Sequence, residues 1–210
     1  RSSDLKSHDY FAFGRKLSKT LSMLSLPKLH PSDITMMVVA FLFFVGSFYL
    51  NQNLDSYMLY APGVSLIFIP AGVKLLAILV GRMPAVMGLF IASVYLSMAL
   101  WTDLQTASLY YFAVASVFSY AIAAYGVMKL LGIHRDLYNL RYWHIVVLSL
   151  AASVTNGIVH NILYVLENVT APEDVWSKAF AMAFGDFMGC FVVLVLFQMA
   201  VGNFKPKVNS

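Results

Sequence analysis

A chain of 210 residues that is 60% hydrophobic and only 11% charged lies far from the roughly 25% charged fraction of an average soluble domain, so an ordinary water-soluble enzyme or binding module is excluded. The formal charge of +4 and the pI near 9.1 read as lysines and arginines that orient membrane helices, not as a nucleic-acid patch. The single cysteine, Cys190, excludes an intramolecular disulfide framework and a Cys/His metal cluster.

Spans of about 20 residues with short loops predict an all-α polytopic bundle of six transmembrane helices. Residues 1–32 are expected to form a cytoplasmic, basic and amphipathic segment. Phe13, Leu17, Leu21 and Leu24 recur there at helical spacing while Arg15, Lys16 and Lys19 fill another face, a pattern suited to anionic lipid or to a docking partner. The chain starts at Arg1, which leaves open whether a segment precedes it. Ser32 and Asp33 supply a helix start for a first span over residues 32–50. A second span over 63–80 is broken by Pro70 and Gly72 and carries Lys74. A third over 84–100 follows after only Gly81, Arg82 and Met83, so these two are expected to be antiparallel neighbours. The fourth, fifth and sixth spans cover about 107–131, 144–166 and 175–201. The transmembrane domain is thus expected over 33–203, with a cytoplasmic tail at 204–210, which leaves no room for a separate kinase, cyclase or hydrolase domain.

Orientation follows from the basic residues. With six spans, every Lys and Arg except Lys74 and Lys178 falls on one side of the membrane, and Asp55, Asp103, Glu167, Glu173 and Asp174 fall on the other. The positive-inside rule then places both termini in the cytoplasm. Trp101, Trp143 and Trp176 stand at span ends, where indole rings prefer to sit.

Lys74 and Asp186 lie well inside apolar spans, where an uncompensated charge costs at least about 2.5 kcal/mol. Both sit roughly 15 Å from the outer ends of their helices, so an ion pair between them is one expectation; snorkelling of Lys74 toward Arg82 is the other. Asn156 and His160 are four apart and share a helix face, beside Thr155 and Asn161. Their polar side chains either bond between helices or line an outward-facing cavity with Lys74 and Asp186. A helix restarting at Pro70 and Gly72 would aim its positive end into the bundle, a place for an anion. One histidine and one aspartate fall short of the ligands a metal site needs, and no nucleophile, base and orienting group stand at a recognisable spacing. No catalytic residue, metal or cofactor is therefore expected. Ala181, Gly185 and Gly189, and likewise Ala115, Ser119 and Ala123, repeat every four residues and predict strips for close helix approach.

The stretch from Phe68 to Arg82, with Pro70-Ala71-Gly72 early and Gly81-Arg82 at its end, resembles the "PAG … GR" segment of the MASE1 family of bacterial integral membrane sensory domains. Gly185-Asp186-Phe187-Met188-Gly189 is similar to the "GD-x-x-G" signature of that family's closing helix. Lys74 stands where a small or apolar residue is expected, and Ile69 where a second proline or a tryptophan is common. In that family the membrane module usually precedes an output domain, whereas here the last predicted helix lies close to the last residue. The resemblance implies a membrane fold and a sensory role, and the expectation is a non-enzymatic module of the bacterial inner membrane that binds a small ligand and acts on a membrane protein partner. An accessory subunit of a larger membrane complex and a substrate-binding transporter subunit are the alternatives. Membrane lipid is an expected partner; nucleic acid is not.

Overall fold

The computed structural model describes residues 30–61, 64–100 and 105–203. All but the last residues of the expected amphipathic segment, the tail at 204–210, and Trp101 and Asp103 lie outside the described residues. The elements are α1 (Pro31–Met58), a short antiparallel hairpin of β1 (Leu59–Ala61) and β2 (Val64–Ser65), α2 (Ile69–Leu100), α3 (Thr106–Leu130), α4 (Tyr142–Leu166), a 3-10 turn (Pro172–Asp174) and α5 (Val175–Asn203). Among the described residues five helices are long and apolar enough to cross a membrane, and the chain is a multi-pass membrane protein.

The helices α2, α3, α4 and α5 pack in a ring, each against the next and α5 back onto α2. Leu75, Ile78, Leu89, Tyr120, Ile145, Leu148 and Leu194 are fully buried inside it. At one end the Ser108 hydroxyl donates to Glu167 Oε2 at 2.5 Å, which ties the start of α3 to the end of α4.

The direction of α2 can be traced against α1. Gly81 lies beside Met36 and Gly88 against the Met37 backbone, while the Phe41 and Tyr95 rings meet at 6.0 Å. Lys74 stands over the Phe44 ring at 5.3 Å, Phe68 meets Phe48 at 6.0 Å, and the Ile69 N–H donates to Asn51 Oδ1 at 2.9 Å. Residues 69–81 therefore run antiparallel to α1, and residues 83–100 run parallel to it. The chain reverses at Arg82, whose φ of 57° and ψ of −142° are non-helical. That conformation favours glycine and strains an arginine. The Arg82 guanidinium donates to the Arg135 carbonyl, which fastens the turn to the α3–α4 loop. In that loop Asn139 closes Gly132 and His134 into a compact knot, and the hydrogen bond from His134 holds the Asp136 carboxyl below its ordinary range.

The expected break in the second span takes a different form. The helix begins at Ile69, so Pro70 and Gly72 belong to its first turn and do not interrupt it. Proline is suited there because its missing N–H would have no helical acceptor. Ahead of it, residues 65–68 descend as non-helical backbone alongside α5, where the Phe68 N–H donates to the Gly185 carbonyl at 3.0 Å. Gly185 sits ten residues into α5, about 15 Å from its start. The start of α2 is therefore deep inside the bundle. Its leading donors are already taken, Ile69 by Asn51 and Ala71 by the Phe68 carbonyl at 3.0 Å. Asn51 in turn donates to Asp55 Oδ1 at 2.9 Å, which brings a carboxylate toward the positive end of α2.

Asn51 is 1% exposed and acts as a side-chain cap supplied by another helix. Asn51→Leu should lower stability by about 1 to 3 kcal/mol, because the Ile69 N–H loses its acceptor in an apolar interior. Thermal unfolding in detergent reads this directly, and an unchanged midpoint would show that the cap is dispensable.

Candidate functional site

The buried polar residues converge between the helices. On α4, Asn156 and His160 share the inward face as their spacing predicts, and both are buried. Asn156 Nδ2 donates to Asp186 Oδ2 on α5 at 2.6 Å. The Tyr120 hydroxyl on α3 donates to the same oxygen at 2.9 Å. Ser119 stands 3.0 Å from Asn156 Oδ1 and 2.5 Å from the Ala115 carbonyl, so its one proton is shared between two acceptors. Thr155 and Asn161 bond mainly within their own helix, to the Ala151 carbonyl at 2.7 Å and the Gly157 carbonyl at 2.8 Å.

Lys74 and Asp186 are both 2% exposed, yet they do not touch. The Lys74 ammonium donates to the Ser116 carbonyl at 3.0 Å and to the Ser116 hydroxyl at 2.6 Å. It also lies over the Tyr120 ring at 4.5 Å. One tyrosine thus serves both charges, its ring face toward the cation and its hydroxyl toward the carboxylate. The expected direct ion pair is replaced by this bridge, and snorkelling toward Arg82 does not occur.

Beside the bridge lies a cavity of about 330 Å³, at the small end of the range for ligand pockets. Lys74, Ser93, Ser116, Asn156, His160 and Asp186 give it polar groups, and Phe44, Phe48, Phe68, Phe112 and Tyr164 give it aromatic walls. Gln52, Asp55, Ser65 and Ser97 line its end near the hairpin. His160 is stacked on Phe112 with ring centroids 6.5 Å apart and meets the Tyr164 ring edge-on at 5.9 Å. Its Nδ1 is buried with no hydrogen-bond partner.

Of the residues singled out from the sequence, Lys74, Asn156, His160 and Asp186 come together here. Pro70 and Gly72 stand apart from the cavity; Gly72 packs against Gly189 and Val193 of α5. The strip of Ala181, Gly185 and Gly189 serves a second purpose besides helix packing. Gly185 lies against the Ser65 carbonyl and Gly189 against the Phe68 carbonyl, so non-helical backbone rests where a helix was expected. Ala181 clusters with Phe112, Tyr164 and Met182; on α3 Ala115 is buried and Ala123 half-buried, and Ser119 adds its polar bond.

Ser116, Tyr120, Ser93 and the Asn51/Asp55 pair were not singled out. The spacing that exposed Asn156 and His160 recurs in Ser116/Tyr120, Ser93/Ser97 and Asn51/Asp55, each pair of polar side chains sharing a helix face. Among the described residues no three His, Cys, Asp or Glu side chains come together to hold a metal. Cys190 is buried, its Sγ 3.9 Å from the Tyr120 hydroxyl. No family model, curated protein or solved structure matches the chain.

Proposed function

We propose that this chain is a non-enzymatic module of the bacterial inner membrane, similar to a MASE1 sensory domain, that binds a small molecule in the central cavity and acts through a membrane protein partner. The observation that carries the reading is the arrangement around that cavity. A lysine, a carboxylate and a histidine from α2, α5 and α4 all line one small space, and neither charge is in direct contact with the other. A purely structural polar network would close up around its own bonds; this one leaves room beside them.

In this reading the chain crosses the membrane six times with both ends in the cytoplasm. The reversal at Arg82 supports two crossings within α2, the first completed by the non-helical residues 65–68 and the second made by 83–100. Arg82, Lys129, Arg135 and Arg141 gather at the end of the bundle that holds this turn, as cytoplasmic residues should. A bound molecule would touch α1, both limbs of α2, α3, α4 and α5 at once. Its arrival would therefore be felt at every face open to a partner.

Native mass spectrometry of the protein extracted under mild conditions tests the binding. The expected result is a small-molecule adduct that disappears when Ser97→Trp fills the cavity. A folded protein without any adduct, or an adduct that persists in the filled variant, would sink the reading.

A further inference from the structure

We infer that the cavity takes a small zwitterion, a molecule carrying a carboxylate and an ammonium a few atoms apart on an apolar or aromatic body. This rests on the binding role proposed for the cavity and specifies its ligand.

At the bridge the host supplies one cation and one carboxylate, Lys74 and Asp186, with Tyr120 between them; the second carboxylate of the lining, Asp55, stands at the hairpin end. Lys74 gives two of its three N–H groups to Ser116, and the third remains for a ligand oxygen. Asp186 uses Oδ2 twice, for Tyr120 and Asn156, and Oδ1 takes no hydrogen bond from the described residues, which leaves an acceptor for a ligand ammonium. A lone carboxylate bound at Lys74 would stand near Asp186 without a cation of its own to face it, and a lone amine at Asp186 would likewise face Lys74 without an anion of its own. In a low-dielectric interior such unbalanced charges are costly. A zwitterion laid along the bridge matches both ends and adds no net charge.

The remaining surface fits the remaining body. Phe44, Phe48, Phe68 and Phe112 form apolar walls, and the buried, unpartnered Nδ1 of His160 adds a polar atom with no protein bond to satisfy it. About 330 Å³ accommodates an amino acid with a large apolar side chain. Asp55 at the hairpin end favours approach of the ammonium over that of a simple anion.

The test measures thermal unfolding of the full chain in detergent against phenylalanine, leucine, 3-phenylpropionate and phenethylamine. The two amino acids are expected to raise the midpoint saturably by several degrees, while the two single-ended compounds leave it unmoved. Lys74→Met and Asp186→Asn should each weaken the amino-acid affinity by about tenfold or more, the loss of one charge-assisted hydrogen bond. A shift from 3-phenylpropionate or phenethylamine equal to that from phenylalanine overturns the zwitterion and leaves a site for a single charge. No saturable shift with any compound overturns it too. The native adduct, measured separately, then shows whether the cavity still holds some other molecule. Because the panel is read on the unaltered protein, it stands even where a variant fails to fold.

Discussion

Asp186→Ala is expected to destabilise the bundle by about 3 kcal/mol, the scale for stripping one partner from a buried charge arrangement. The change removes the acceptor of both the Tyr120 hydroxyl and the Asn156 amide, and it leaves Lys74 as a buried cation compensated, among the described residues, by Ser116 and two ring faces. The double variant Lys74→Met/Asp186→Ala should recover a substantial part of that loss, since neutral donors alone are cheaper to bury than an unbalanced ammonium. Reversible unfolding in mixed micelles gives the three free energies needed for the cycle. If the double variant is as unstable as the sum of the singles, the two charges are not coupled through Tyr120 and the bridge is only a contact.

Gly185→Ala is expected to cost a similar amount for an unrelated reason. A methyl group there would run into the Ser65 carbonyl, and at Gly189 into that of Phe68; in both cases the obstacle is backbone that cannot swing aside. Residues 65–68 would be pushed off α5, losing the Phe68 hydrogen bond to Gly185, and overpacking of this kind costs about 1 to 3 kcal/mol before the lost bond is counted. Glycines in open space give the control. A Cβ at Gly46 or Gly126 meets nothing within 4 Å, so Gly46→Ala and Gly126→Ala should each raise stability by about 0.5 to 1 kcal/mol through better helix propensity. Opposite signs at the two kinds of glycine would establish the close approach. Equal, small effects at Gly185 and Gly46 would refute it.

Much of this arrangement was legible before any fold was known. The deficit of charge and the long apolar runs were enough to make the chain a multi-pass membrane protein, and the spans placed on α3, α4 and α5 differ from the helices by only a few residues at their ends. That Asn156 and His160 share one face of α4 followed from a repeat of four. The cost of burying Lys74 and Asp186 was also visible in one dimension, because any ionisable side chain in such a run must find compensation somewhere.

What compensates them was not legible, and the reason is the same at each point. Tyr120 is one of twelve tyrosines, and nothing local marks it as the residue that meets both charges; that depends on how α2, α3 and α5 are rotated about their axes. The glycines of α5 announced a close approach but not its occupant, since a non-helical segment and a helix both demand the absence of a side chain. Asn51 caps a helix 18 residues further along the chain, beyond the reach of any capping pattern, which looks only one turn ahead. Composition and periodicity are properties of neighbours in sequence and sufficed for the membrane, the helices and the faces that would be polar. Which faces meet, and whether a cavity remains between them, is decided by side chains from distant segments packing together, and only the tertiary structure carries that information.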